Sequence, residues 1–269
     1  VDILQAPFTV NLSPTGCTGA LIHPLWVMTS AHCTSQGPRI LYAGFGASDR
    51  NRCSYYIKGR VIYIYPPFYN DSKDKSSESA STATTHDIAL IQLSAPAKLS
   101  ETVQIINLEE AKWPTGKNRN CTLAGYGGCY TQDALLNVGK LLATEDCNCV
   151  TKLGLLCAYW LEGHKPAQGD AGAVLVCDNK GAAVLSQDLG TSFCNDKKQA
   201  MTDKAAGEGC DVNNTIYLFS HIQHNLDWIQ EISHYNKANK LQRNNIKYYD
   251  MFMSLQTSSL LLIFLSHLY

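Results

Sequence analysis

An all-β fold is predicted by three observations: short β-rich runs at regular spacing, turn residues between them, and helical periodicity confined to one place near the end. Between residues 8 and 65 the β-rich runs are 8–12, 20–28, 39–44 and 61–65, separated by clusters of Gly, Pro, Asn and Ser. Short strands at such spacing belong to a barrel or a sandwich. Residues 71–85 mix Ser, Thr, Ala, Asp and Lys without an apolar period and read as a solvated surface loop. Strand-like runs resume at 88–93, 121–126, 174–177 and 182–185. Ile222, Leu226 and Ile229 then recur at helical spacing, and Trp228 and Ile232 widen the same face. One amphipathic helix is predicted there, over 220–235.

Composition narrows the function classes. The chain has 269 residues, 45% hydrophobic and 17% charged, enough apolar material for a large core or two small ones. With 22 Lys+Arg against 23 Asp+Glu the net charge is -1, so no broad field gathers nucleic acid or anionic lipid. Eleven cysteines lie spread along the chain without metal-ligand spacing, which fits a disulfide framework made in an oxidising, extracellular compartment. The sequons at Asn11, Asn70, Asn120 and Asn213 are glycosylation candidates that point the same way. Phosphate-cradling glycine loops, dinucleotide fingerprints and zinc-protease spacings are missing from the sequence, so no cofactor and no metal is expected.

Three separated segments then carry a family resemblance. They are Thr29-Ser30-Ala31-His32-Cys33, Asp87-Ile88-Ala89-Leu90 and Gln168-Gly169-Asp170-Ala171-Gly172-Ala173. In that order, with Cys17 before His32 and Cys177 after Ala171, they resemble the TAAHC, DIAL and GDSGGP patterns of the trypsin/chymotrypsin family of serine peptidases. The likeness runs from about residue 6 to 232 and includes 123–127 and 156–163. It implies two packed six-stranded antiparallel β-barrels, the first over about 8–98 and the second over about 121–219. A terminal helix over about 220–235 would complete a peptidase domain of 1–235, followed by a tail at 236–269. The resemblance also implies disulfides Cys17 to Cys33 and Cys121 to Cys177, with Cys157 pairing to Cys147 or Cys149. Ala167 stands where the family has a cysteine, leaving Cys194 to pair elsewhere, with Cys210 and Cys129 as candidates. Cys53 is the candidate free thiol.

By the same resemblance His32 is the base, Asp87 the carboxylate that orients it, and the backbone N–H groups of Gly169 and Ala171 the oxyanion donors. The nucleophile position is Ala171, which has no oxygen to attack a carbonyl and no proton for His32 to remove. Lys165 falls at the floor of the specificity pocket, where the family's basic-specific members carry an aspartate. Ser186, Gln187 and Thr215 fall on its walls, and cationic side chains should be rejected. The family's new amino terminus, which pairs with the aspartate matching Asp170, finds no counterpart motif in this chain, and the start at Val1 leaves truncation and loss equally open.

The leading expectation is therefore a non-catalytic homologue that works outside the cell by binding proteins or peptides, as a decoy or cofactor for proteases, inhibitors or substrates. One alternative is an active serine endopeptidase; another is an adhesive or structural surface protein. The second alternative rests on the tail, where the unbroken apolar run 260–265 is short for a membrane span. A removable lipid anchor signal is the competing reading of that tail, against an unprocessed one.

Overall fold

The computed structural model describes residues 1–35, 40–68, 86–128, 134–147, 154–190 and 215–233. The expected loop at 71–85, the tail at 236–269, Asn70, Asn213, Cys129, Cys149, Cys194 and Cys210 lie outside the described residues.

The described strands close two six-stranded antiparallel barrels. The first contains β1 (Thr9–Ser13), β2 (Cys17–His23), β3 (Trp26–Thr29), β4 (Tyr42–Phe45), β5 (Tyr55–Ile64) and β6 (Ala89–Leu93), hydrogen-bonded around the ring as β1-β2-β3-β6-β5-β4. The second contains β7 (Arg119–Gly125), β8 (Asn137–Thr144), β9 (Leu156–Gly163), β10 (Val174–Cys177), β11 (Lys180–Gly190) and β12 (Thr215–His221), ordered β10-β11-β12-β9-β8-β7. Closure leaves neither sheet with a free edge. Leu12, Leu21 and Phe45 pack inside the first barrel; Leu141, Leu175 and Phe219 pack inside the second.

The run 20–28, read as one strand, is two strands joined at a tight turn. Pro24 has no N–H to give a ladder, and the chain reverses there so that His23 pairs with Trp26. The terminal helix is shorter than its apolar period: Ser220 and His221 still belong to β12, a 3-10 turn occupies Gln223–Asn225, and helix α2 spans Leu226–Ser233. Ser220 and His221 pair with Val184 and Ala183, and that ladder holds them extended. Contacts gather Val1–Leu226, which includes both barrels, into one compact unit and Asp227–Tyr269 into another. Within α2 the Ser233 hydroxyl donates back to the Ile229 carbonyl at 2.5 Å. No helix of the described residues is long and apolar enough to cross a membrane.

Disulfides join Cys17 to Cys33, Cys121 to Cys177 and Cys147 to Cys157, and Cys53 is a free thiol, its pKa pushed up by burial. Among the candidate sequons Asn120 is exposed on β7. Asn11 is not available. Its side chain is buried on β1, only 6% exposed, and its amide donates to the Arg50 carbonyl at 3.3 Å, so no glycan fits there.

The two barrels meet through buried polar contacts. Tyr126, fully buried after β7, donates its hydroxyl to the Ala47 carbonyl of the first barrel at 2.8 Å. Backbone bonds from Arg50 N–H to the Ala134 carbonyl and from Leu136 N–H to the Ser48 carbonyl run beside it. Replacing Tyr126 by Phe keeps the ring and strands a buried carbonyl, so Tyr126→Phe is expected to cost about 1–3 kcal/mol in chemical denaturation, a lost hydrogen bond without a cavity.

Candidate functional site

His32 opens the four-residue helix α1 (His32–Ser35), immediately after β3, and is tied to β2 by the adjacent Cys17 to Cys33 disulfide. Asp87 precedes β6. It follows His86, whose φ of 58° lies in the left-handed region that a branched or bulky residue rarely enters. That strained residue is held from two sides, by a 3.0 Å hydrogen bond between its Nδ1 and Asn225 Oδ1 and by the Tyr65 ring 5.0 Å away. Asp87 is thereby aimed inward at 1% exposure.

Three groups converge on the Asp87 carboxylate. His32 Nδ1 lies 2.6 Å from Oδ2, the His32 backbone N–H donates to Oδ1 at 2.9 Å, and the Ser186 hydroxyl donates to Oδ2 at 2.6 Å. An ionised carboxylate only accepts, so the proton of neutral His32 sits on Nδ1 and the lone pair on Nε2. Burial by itself would lower the His32 pKa. The hydrogen bond and charge of Asp87 outweigh it, and the pKa rises above its ordinary 6.5.

Ser186 differs from its expected place. It is 4% exposed and its hydroxyl is given to Asp87, at the β-bulge between Leu185 and Gln187. Gln187 and Thr215 lie on the adjacent strands β11 and β12, Gln187 opposite Leu218 in the ladder. Lys165 does not project an unpaired charge: its ammonium lies over the half-exposed Trp160 ring, 4.7 Å from the centroid, a cation–π contact.

Ala171 lies in the turn that leads into β10. Cys33 Sγ touches both neighbours, 3.8 Å from His32 Nε2 and 3.7 Å from the Ala171 carbonyl oxygen. Thr18 of β2 holds the turn from the opposite barrel, its N–H donating to the Ala171 carbonyl at 3.0 Å and its hydroxyl to the Gly169 carbonyl at 2.8 Å. Gly172 is required here: φ is +84°, and a Cβ would come within 2.0 Å of Thr29 Oγ1. The oxyanion candidates are the N–H groups of Gly169 and Ala171, and among the described residues no acceptor takes either.

Asp170, beneath that turn and 1% exposed, has partners that sequence reasoning missed. Its carboxylate accepts from Gly127 N–H at 2.8 Å and Ala167 N–H at 2.9 Å, with His164 Nε2 at 3.3 Å. Gly127 permits this approach, since a Cβ there would lie 2.4 Å from the carboxylate. His164 sits in no motif, and only its place two residues after the glutamate of the 156–163 stretch could have drawn notice.

Comparison with known proteins places these observations in a family. Residues 2–229 match the Trypsin family. The chain is 25% identical over 243 residues to a trypsin of Squalus acanthias, covering 84% of this chain and 90% of that protein. It is 28% identical over 235 residues to rat (Rattus norvegicus) coagulation factor XII, covering 80% of this chain but 36% of the relative, and 27% identical over 175 residues to human (Homo sapiens) kallikrein-2, covering 60% of this chain and 66% of it. The chain thus spans about a third of the first of these and two thirds of the second. Among solved structures, human heparin binding protein has a TM-score of 0.65 at 22% identity, over 86% of this chain and 93% of the other. Mouse neuropsin, described as a serine protease, has 0.65 at 21%, over 87% and 97%.

The raised His32 pKa fixes a sign. Stability from the dyad is fully present below the unfolded value near 6.5 and is lost as pH rises through the folded value. An NMR titration of the imidazole is expected to give a midpoint above 6.5 in the natural chain and a lower one in Asp87→Asn, with the pH dependence of stability in that window flattened. With the His32 side chain 39% exposed, solvent screening keeps the effect small.

Proposed function

The chain belongs to the trypsin family, and from that premise we propose that it is a non-catalytic homologue acting outside the cell by binding proteins or peptides. The observation that carries the reading is Ala171. In this family's chemistry a hydroxyl attacks the carbonyl while the imidazole removes its proton, and a methyl group can do neither. His32 and Asp87 are proposed as the remnant of the triad, with Gly169 and Ala171 as the oxyanion positions. A dyad without a nucleophile has nothing to deprotonate but water. Loss of the serine in a triad protease costs about a millionfold in turnover, roughly 8 kcal/mol.

What remains useful is the surface. The family's fold supplies a loop-rich binding face whatever stands at the nucleophile position, and partners are proposed to be proteases, their inhibitors or their substrates, held as by a decoy or cofactor. The three disulfides support an oxidising compartment and hence an extracellular setting. Lys165 at the proposed specificity pocket supports rejection of cationic side chains, because its own charge is already in place over Trp160.

The purified chain is expected to take no label from a fluorophosphonate probe and to cleave nothing in a mixed peptide library. Ala171→Ser should recover at most weak activity, since the turn it joins is organised around Asp170, whose carboxylate is held by Gly127, Ala167 and His164. Labelling or cleavage by the natural chain, abolished in His32→Ala, would instead favour the active endopeptidase. Benzamidine-type cations should fail to bind at micromolar concentration, and calorimetric binding at that level would refute the placement of Lys165.

A further inference from the structure

Away from the Ala171 turn, three donor side chains gather where β12 ends. His221 is the last residue of β12, and His224 follows three residues on, in the 3-10 turn Gln223–Asn225. Their rings lie 4.2 Å apart, centroid to centroid. Glu145 comes from the far side, in the bend that follows β8, one residue beyond Thr144.

The central member is unusual. His221 is 4% exposed, and its Nε2 is a buried polar atom with no hydrogen-bond partner among the described residues. Glu145 Oε1 is the nearest carboxylate oxygen, at 3.6 Å, beyond hydrogen-bond reach. Trp113 stands edge-on to the His221 ring at 6.2 Å, closing the apolar side. Asn225, itself 2% exposed, donates to the His221 carbonyl at 2.5 Å and so holds the turn that carries both histidines.

Nε2 of His221, a ring nitrogen of His224 and a carboxylate oxygen of Glu145 all lie within 4.8 Å of one another. Tetrahedral coordination with bonds of about 2.0–2.1 Å separates ligand atoms by about 3.3 Å, so the 3.6 Å edge is already near that value. Closing the remaining gap falls to the exposed His224, whose side chain is at the surface and free to choose a rotamer.

We propose that Glu145, His221 and His224 form a binding site for a zinc-class divalent transition ion. Two imidazoles and one carboxylate suit such a borderline ion; calcium and magnesium call for six or more oxygens, which this set lacks. Three protein ligands leave a fourth position open to solvent, and the partly exposed Glu145 gives the entry path. The ion would staple the bend after β8 to the end of β12, two strands of the second barrel that β9 separates in the sheet. Nothing in this site depends on Ala171, so it stands apart from the catalytic status of the chain.

The test uses the whole purified chain stripped with a chelator and titrated with zinc chloride against a competing chromogenic chelator, with calcium and magnesium chloride as controls. One equivalent of zinc is expected, calcium and magnesium should not displace it, and His224→Ala and Glu145→Gln should each weaken it at least tenfold. Both substitutions are at the surface, and circular dichroism checks that each variant is folded. Cobalt(II) added to the natural chain gives an independent reading, since four-coordinate nitrogen and oxygen ligation produces intense visible bands. Absence of a stoichiometric site, unchanged zinc affinity in either folded variant, or a cobalt spectrum of the weak six-coordinate kind would overturn the assignment.

Discussion

A carboxylate taken out of water must be met by donors, and the turn that carries Ala171 is built around one such carboxylate. Asp170 is 1% exposed, and a carboxyl group buried so deeply needs hydrogen-bond donors around it. Gly127 and Ala167 supply backbone donors, His164 supplies an imidazole, and glycine at 127 lets the acid come close enough to use them. Everything above it inherits this geometry. The Asp170 N–H donates to the Ala167 carbonyl and the Ala173 N–H to the Asp170 carbonyl, so 167–173 is one tight loop. Thr18 then fastens the loop to the other barrel through the carbonyls of Gly169 and Ala171.

A second buried acid organises the opposite wall. Asp87 takes up the His32 ring, the His32 N–H and the Ser186 hydroxyl together, and each removes part of the cost of burying its charge. This network therefore has a structural role that does not require turnover. A histidine pinned in this way also packs beside the disulfide that anchors α1 to β2, and removing it would leave Asp87 short of one partner. The persistence of a complete His-Asp-Ser arrangement is thus compatible with an inert nucleophile position, because folding alone gives the three side chains reason to meet.

Much of this was legible in the residues, and the exceptions have physical causes. Strand β10 was readable in full because Val174 to Cys177 is an unbroken apolar run between turns. Strand β8 was not: Asn137, Gly139 and Lys140 interrupt its apolar pattern, although Gly139, Leu141 and Ala143 do alternate inward. Ser220 and His221 read as helix because the true helical period begins only a few residues later, and the ladder to β11 that keeps them extended is a long-range contact. His32, Asp87 and Ala171 sit in local motifs and could be picked out one by one. His164 and Thr18 could not, since what makes them matter is a partner 6 residues away across a turn and one 151 residues away in the other barrel. Asn11 misled for the reverse reason: a sequon is a local pattern, and burial is not.

Three histidines show how far environment, rather than residue type, decides chemistry in this chain. His32 faces a carboxylate at 2.6 Å, and its pKa is raised despite burial. His221 is buried beside another imidazole with its nearest carboxylate at 3.6 Å, and its pKa falls to about 3. Burial acts downward on both: at His32 the hydrogen bond and charge of Asp87 outweigh it, and at His221 the neighbouring His224 adds to it. His164 Nε2 lies 3.3 Å from Asp170, an acid that already has two backbone donors. Asp87 and Asp170 each meet their partners without any hydroxyl at position 171, so the hydrogen-bond network around the cleft does not depend on a nucleophile.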